Sequence, residues 1–481
     1  MHALKYPTGQ QDFIYMRENG YVYVDKTDII YHLVHNPKYV FLARPRRFGK
    51  SLLLSTIETY FKGYKECFKG LAIESLEKEW RKHPVFHLEL SGMEKGNFLS
   101  LIEELERQFR NWEEKYEIEK KSDVLSSRFR DLIQKTSEKT GEKVVILIDE
   151  YDNPLVNSLD DDSLHDKCRN LLKSVYSAIK GMDRFIRFAM ITGVSRFSKT
   201  SIFSGLNNLN DISFDDAYAT ICGFTQQDIV NYFKPDIREF ANKRGVDEET
   251  MIGLLKERYD GYHFSGECID TYNPFSLLNA LEKSSLGNYW IMSGTPTFLI
   301  ERLKATDIDF VNTFRTEENA ESLGTVDVAS FSPVALMYQT GYLTIKSYDP
   351  YLDIYTLGIP NKEVNYGMFS ALLADFSRKD PVGTLKTAMA MKESLTDGNP
   401  EKFLELLKTF YAGIPFSMHP NRYELNFEKI LYSLLHLMDI DVRSEVQLAD
   451  GRIDLLIKTD KYIYIIELKL DSSPEAALQQ I

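Results

Sequence analysis

Two stretches of the sequence hold residue types suited to gripping phosphate beside a divalent cation. The first is Arg44-Pro45-Arg46-Arg47-Phe48-Gly49-Lys50-Ser51. A phosphate-cradling loop needs Gly, four residues, Gly, Lys and then Ser or Thr. Gly49-Lys50-Ser51 fits, and Arg44 stands where the first Gly is expected. Gly49 lets the backbone approach an anion, and the N–H groups opening the next helix point at phosphate. Lys50 adds a point charge, and the Ser51 hydroxyl suits Mg²⁺. Pro45 removes a backbone donor. Arg44, Arg46 and Arg47 add cations that can offset it, although an interior Arg can equally serve as a structural ion-pair partner. Alone, such a loop is hard to tell from a basic glycine turn. The run Val144-Val145-Ile146-Leu147-Ile148-Asp149-Glu150 adds the second half of a nucleotide site. Asp149 is placed to bind Mg²⁺ and Glu150 to orient and polarise the attacking water. Thr192 ends a further apolar run, where it can sense a γ-phosphate or simply cap a strand. Arg196, just beyond, is a candidate charge-stabilising finger.

The second stretch lies near the C-terminus, in Gly451-Arg452-Ile453-Asp454 and Ile465-Ile466-Glu467-Leu468-Lys469. Side chains two apart on a strand share a face, so Glu467 and Lys469 point together while Ile466 and Leu468 point into a core. Asp454, on a neighbouring β-run, can meet Glu467 and hold one divalent ion. Lys469 can polarise a water or steady the charge on phosphorus. Carboxylate oxygens suit Mg²⁺ or Mn²⁺ better than zinc. The competing reading is an edge strand with a solvated Glu–Lys pair. Glu428 and Glu445 are further candidate ligands, each as compatible with an ordinary surface role. His83 and His87 flank Pro84 on a β-run and do not read as a helical metal pair, and Asp160-Asp161-Asp162 reads as a solvated loop.

These residues need elements to hold them. Tyr39 to Ala43, Val85 to Leu90, Val144 to Ile148 and Phe188 to Ile191 are apolar runs rich in strand formers. Helical stretches separate them, among them Leu52 to Phe61, Phe98 to Lys120 and Ser163 to Lys180. Buried strands alternating with helices argue for a parallel sheet covered on both faces, with the chemistry at the carboxyl ends of the strands. Gly49-Lys50-Ser51, Asp149-Glu150 and Thr192 all fall there. From Thr225-Gln226-Gln227-Asp228, a capped helix start, helices run to about Leu286. Tyr289 to Ala412 reads as mixed and mostly helical. Asn426 to Met438 is an amphipathic helix, followed by β-runs at Val442–Leu448, Arg452–Ile457 and Tyr462–Leu470.

Composition narrows the classes. Hydrophobic residues at 43% and charged residues at 27% are the balance of a folded globular chain. With 58 Lys plus Arg against 71 Asp plus Glu, the formal net charge of −13 excludes a wholly basic nucleic-acid coat protein but not a local basic site. No apolar run is long enough for a membrane helix, and residues 1–10 lack the apolar core of a secretory signal. Cys67, Cys168, Cys222 and Cys268 show no paired spacing, which favours a reduced cytoplasm and no membrane association.

Several of these motifs together resemble a known family. Tyr23-Val24-Asp25-Lys26-Thr27, the Arg44–Ser51 loop, Ile148-Asp149-Glu150-Tyr151-Asp152, Ile191-Thr192-Gly193-Val194-Ser195 and Tyr272-Asn273-Pro274-Phe275-Ser276 are similar to those of the AAA-ATPase-like proteins of bacteria and archaea. These often carry a C-terminal PD-(D/E)XK nuclease-like domain, whose signature Asp454, Glu467 and Lys469 match. The resemblance implies an α/β chain with a P-loop NTPase parallel sheet, a helical lid and a small C-terminal α/β restriction-endonuclease-like domain. The expected division is an ATPase core at 1–222, a lid at 223–286, a mostly helical connecting region at 287–412 and the nuclease-like domain at 413–481. Arg47, Gly49, Lys50, Ser51, Asp149 and Thr192 are then expected to bind ATP, with Ser51 and Asp149 on Mg²⁺ and Glu150 catalytic. Asp454 and Glu467 are expected to hold Mg²⁺ or Mn²⁺, with Asp454, Glu467 and Lys469 acting on DNA. Such nuclease domains continue past the Glu-x-Lys strand into a helix with Gln and then Tyr. Here the sequence ends at Gln479-Gln480-Ile481, so the C-terminal domain is expected to be incomplete. The alternative function is a nucleotide-gated switch or scaffold, and a homo-oligomer is compatible with either.

Overall fold

The computed structural model describes residues 5–196, 203, 208–294, 314, 316–324, 332–377, 381–413, 423–438, 440–448 and 451–467. The chain divides into two compact units, each made of two chain segments. The first is Met1–Trp290 with Glu317–Leu357, and the second is Ile291–Thr316 with Gly358–Ile481.

The first unit is built on strands β1 (Tyr39–Ala43), β2 (Val85–Glu89), β3 (Val144–Asp149), β4 (Ile186–Gly193) and the short β5 (Asn210–Asp211). They lie in the order β2-β3-β4-β1-β5, with all four pairings parallel. Every residue of β1 and β3 is buried, as a strand covered on both faces requires. The register Leu42↔Thr192 and Ile148↔Ile191 brings the carboxyl ends of β1, β3 and β4 to one edge. The helix Lys50–Phe61 follows β1 directly, and buries Leu53, Leu54, Ile57, Tyr60 and Phe61. The helices Phe98–Lys115 and Leu125–Thr140 supply an aromatic layer over β2. There Phe86 stacks on Trp112 at 4.5 Å and Phe109 on Phe129 at 5.2 Å. The first of these helices starts where Asn97 accepts hydrogen bonds from the N–H groups of Leu99 and Ser100. Asp161, expected in a solvated loop, instead caps the helix Asp162–Lys180 through the Leu164 N–H.

Beyond the sheet, Thr225 and Asp228 form the reciprocal capping pair that their spacing predicts, opening the helix Gln226–Arg244. That helix, Glu248–Tyr259 and Pro274–Lys283 bury one apolar cluster including Phe233, Phe240, Leu255, Tyr272 and Leu277. Val24 joins the same cluster, and Lys26 pairs with the capping Asp228 at 2.6 Å, so the Tyr23–Thr27 motif ties the helices to the sheet domain. The stretch 287–412, expected to be mostly helical, is shared between the two units. Its first-unit part carries β6 (Glu317–Asn319), the helix Pro333–Thr340, β7 (Thr344–Asp349) and β8 (Ile354–Gly358), in the sheet order β6-β8-β7. The alternation on these short strands is weak, with β7 exposing Lys346 and Ser347 in succession, and this hides them in the sequence.

In the second unit, the helices Lys362–Ser377, Pro381–Thr396, Pro400–Ala412 and Tyr423–Leu437 accompany an antiparallel meander. Its strands are β9 (Asp441–Leu448), β10 (Gly451–Lys458) and β11 (Ile463–Ile466), in the order β11-β10-β9. Ile453, Leu455 and Ile457 are buried on one face of β10, and Tyr464 donates to the Leu395 carbonyl at 2.6 Å. Among the described residues, no helix is long and apolar enough to cross a membrane.

Candidate functional site

In the first unit, the loop after β1 is held from below by the residue that departs from the phosphate-loop pattern. The Arg44 side chain is 1% exposed. Its Nη1 donates to the carbonyls of Ala43 (2.9 Å) and Ser213 (2.8 Å), and its Nη2 to that of Tyr218 (3.2 Å). The guanidinium also lies over the Phe264 ring at 4.2 Å. Arg44 is therefore a carbonyl cap under the loop. Phe48 is buried in the same layer, edge-on to Tyr262 (4.8 Å) and Phe264 (5.2 Å). Sequence reasoning did not single out this aromatic seat, because Tyr262 and Phe264 lie far along the chain from Phe48. The one available signal was an arginine directly following a fully apolar strand.

Gly49 has φ +91°, a backbone that side chains rarely adopt, and the space a Cβ would occupy there is open. It opens the helix that begins at Lys50. Lys50 is 7% exposed, and its ammonium donates to the carbonyls of Arg44 (2.9 Å) and Pro45 (3.0 Å). Burial lowers its pKa, while Asp149 and Asp152 act in the opposite direction. Ser51 follows on the first turn of the helix and is partly exposed. Arg47, also at positive φ (66°), is exposed and turns its guanidinium over Phe275 at 4.9 Å.

On β3 and β4 the polar residues form a connected row. Asp149 is buried, and its Oδ1 accepts from the Thr192 hydroxyl at 2.7 Å and from the Glu150 N–H at 3.0 Å. Strand β4 lies between β1 and β3, so Thr192 sits between the loop strand and the acid pair. Glu150 has φ +52°. A non-glycine residue held there costs about 1–3 kcal/mol, a kind of strain that gathers at functional sites. Burial, and then the neighbouring Asp149, raises the Glu150 carboxyl above its ordinary pKa. Asp152, which sequence reasoning treated only as part of a motif, accepts from the N–H groups of Val194 (3.1 Å) and Ser195 (2.6 Å) and from the Ser195 hydroxyl (2.6 Å). It pins the exit of β4. Arg196 is committed elsewhere, because its guanidinium pairs with Asp211 and lies over Phe214 at 4.8 Å. The finger reading of Arg196 is replaced by a structural one.

Burial, added to by the charge of Asp270 and opposed by the Gly261 N–H, pushes the Asp260 carboxyl up to about 7. A folded-state pKa raised above an unfolded value of about 3.9 means that folding takes up a proton between the two. Stability then falls as pH rises from about 4 to about 7 and is level above that window. Asp260→Asn is expected to gain about 2–4 kcal/mol over wild type between pH 4 and pH 8, read from urea unfolding at both pH values.

In the second unit the register pairs Leu455 with Ile466 and Leu456 with Ile465. Carried one pair further, it sets Asp454 across from Glu467, on the face opposite buried Leu455. Directly opposed positions put Cβ atoms about 4.5–5.5 Å apart. On the other side, the pairs Ile453↔Val446 and Leu455↔Ser444 bring Glu445 of β9 opposite Asp454. The three acidic positions thus form one row across the meander. Lys469 lies outside the described residues. Glu428 falls on the helix Tyr423–Leu437, away from this row in sequence. Among the described residues, no group of three or more His, Cys, Asp and Glu side chains is arranged to hold a metal ion. His83 and His87 bind instead to the Lys143 carbonyl (2.9 Å) and Glu58 (2.7 Å).

A parallel sheet ending in a glycine–lysine loop and an acid pair two strands away defines a P-loop NTPase-type fold, here joined to a small nuclease-like α/β unit. The chain belongs to the AAA-ATPase-like family and carries a C-terminal PD-(D/E)XK region as well. Residues 7–203 match the family described as predicted AAA-ATPase, and residues 422–481 match the PD-(D/E)XK nuclease superfamily. A curated relative, "Uncharacterized protein in vnfD 5'region" of Azotobacter chroococcum mcd 1, is 34% identical over 490 residues, covering 100% of this chain and 92% of that protein.

Proposed function

We propose that the first unit binds and hydrolyses ATP and that the second is a metal-dependent nuclease acting on DNA, in the cytoplasm. The observation that carries the first half is the row Lys50, Thr192, Asp149, Glu150 along one sheet edge, with the last residue held in a strained backbone. The open space at Gly49 and the buried Lys50 ammonium fit a polyphosphate, and the Ser51 hydroxyl and Asp149 carboxylate fit Mg²⁺. Mg²⁺, when bound, neutralises charge on the phosphate oxygens. The residues then divide the work. The helix-opening N–H groups and Lys50 hold the phosphates, leaving the loop carbonyls that Lys50 now bonds. Thr192 keeps Asp149 oriented. Glu150 takes a proton from water as the water oxygen bonds the γ-phosphorus and the bond to the bridging oxygen breaks, releasing ADP.

In the second unit, Asp454 and Glu467, at facing positions of β10 and β11, are the hard oxygen donors assigned to Mg²⁺ or Mn²⁺, and from the sequence Lys469 is assigned to polarise water. The net charge of −13 favours a second reading, in which this unit binds a partner under nucleotide control and cuts nothing. Purified chain with ATP, Mg²⁺ or Mn²⁺ and plasmid separates the two. Phosphate release together with plasmid cutting that Asp454→Ala abolishes supports the nuclease. Phosphate release over intact plasmid with either ion supports the switch. Absence of ATP binding in calorimetry refutes both.

A further inference from the structure

The phosphate loop is seated from below by Arg44 and Phe48, but its first half is also gripped from the side. Trp290 is 5% exposed, and its Nε1–H donates to the Arg46 carbonyl at 3.1 Å. Gly341 ends the helix Pro333–Thr340 at φ +92°. A Cβ on it would come within 2.8 Å of Pro45 Cβ and 3.5 Å of Trp290 Cζ2. Pro45, Gly341 and Trp290 therefore meet in one close contact that only a glycine permits. Tyr342 backs the indole, with ring centroids 5.2 Å apart. The same helix reaches the exit of β4, where the Arg196 N–H donates to Gln339 Oε1 at 2.9 Å, and Gln339 in turn donates to the Leu323 carbonyl at 2.7 Å. One helix and its glycine thus touch both the loop and the strand end that carries Thr192.

These contacts fall where the chain changes units. Trp290 is the last residue of the first unit's long segment, and Glu317–Leu357 is the segment that returns to it. The loop peptide that Trp290 holds adjoins the two carbonyls that Lys50 now bonds. An anion bound in the loop would attract the Lys50 ammonium away from those carbonyls, freeing the peptides on either side of Pro45 to move. The Arg46 peptide cannot turn without changing its bond to the indole.

We propose that Trp290 and Gly341 are positioning residues that clamp Pro45 and Arg46, and that this clamp reports phosphate in the loop to the point where the chain enters the second unit. The proposal deepens the nucleotide reading given above and rests on it.

The full chain labelled with 5-fluorotryptophan tests it, because the sequence holds three tryptophans. Trp80→Phe and Trp112→Phe assign the fluorine resonances. A non-hydrolysable ATP analogue with Mg²⁺ is expected to shift or split the Trp290 resonance while those of Trp80 and Trp112 stay, and Lys50→Ala is expected to remove the response. Calorimetry is run on the same samples. Binding with an unmoved Trp290 resonance overturns the clamp alone. No binding overturns the nucleotide reading and the clamp with it. A second measurement follows amide exchange over residues 358–413 at saturating analogue. Wild type is expected to change at least twofold there, and Trp290→Phe, which keeps the ring contact but loses the N–H, to lose that change. An equal change in Trp290→Phe overturns the relay. Should that variant not fold, the fluorine result on the unaltered residue decides.

Discussion

Glu150→Gln is expected to slow phosphate release from ATP by about 100-fold or more while nucleotide affinity stays within a few-fold. The size follows from losing a positioned proton acceptor, a contribution of about 10²–10⁴ in rate. Gln keeps the volume and the strained backbone of Glu150 but cannot accept the proton. The variant therefore separates chemistry from binding, which Lys50→Ala does not. The pH profile adds a second check. Burial beside Asp149 raises the Glu150 pKa, and only the ionised form accepts a proton. The wild-type rate is thus expected to climb with pH through a range above that of an ordinary glutamate, and the Gln variant to lose this limb. A Gln variant that turns over ATP at the wild-type rate removes Glu150 from the mechanism.

Arg44→Gly restores the first glycine of the usual phosphate loop and is nonetheless expected to damage the protein. The substitution strips the hydrogen bonds from the carbonyls of Ala43, Ser213 and Tyr218, and leaves Phe264 facing a void. Unsatisfied buried polar groups cost about 1–3 kcal/mol each, and large cavities cost a similar amount again. A loss of about 3–5 kcal/mol is expected in chemical unfolding, enough to unfold a marginal domain. Arg44→Lys reaches fewer carbonyls and cannot stack as a plane, so it is expected to fall between the two. Unchanged unfolding in Arg44→Gly refutes the capping role.

The central sheet was legible because its strands obey simple chemistry. Tyr39–Ala43 is apolar at every position and stands directly before a glycine–lysine turn, and Val144–Asp149 runs apolar into two acids. Thr225 and Asp228 carried their helix start in their spacing alone. The pairing of β10 with β11 was likewise readable, since two β-runs joined by Thr459-Asp460-Lys461 leave little choice of register. The rest depended on distant partners. Arg44 has no local sign of the carbonyls it caps, which lie far along the chain at Ser213 and Tyr218. Arg196 reads in the sequence as a candidate charge-stabilising finger, and its ion pair has no local sign because Asp211 is placed by the β1–β5 pairing. The strand β7 carries broken alternation, and β8 is only five residues long, so both are defined by the sheet they join more than by their own residues.

The path of the chain through the two units has a bearing on how the protein is made. The first unit needs Glu317–Leu357, and the second begins at Ile291, before that segment exists. During synthesis, at about 5–20 residues per second, the phosphate loop emerges long before the glycine that closes on it. The nascent parallel sheet must therefore wait, unsealed on one side, while the start of the second unit is already outside the ribosome. Neither unit can be cut out as one uninterrupted stretch, and a gene fragment stopping at Trp290 would encode the parallel-sheet unit lacking one wall.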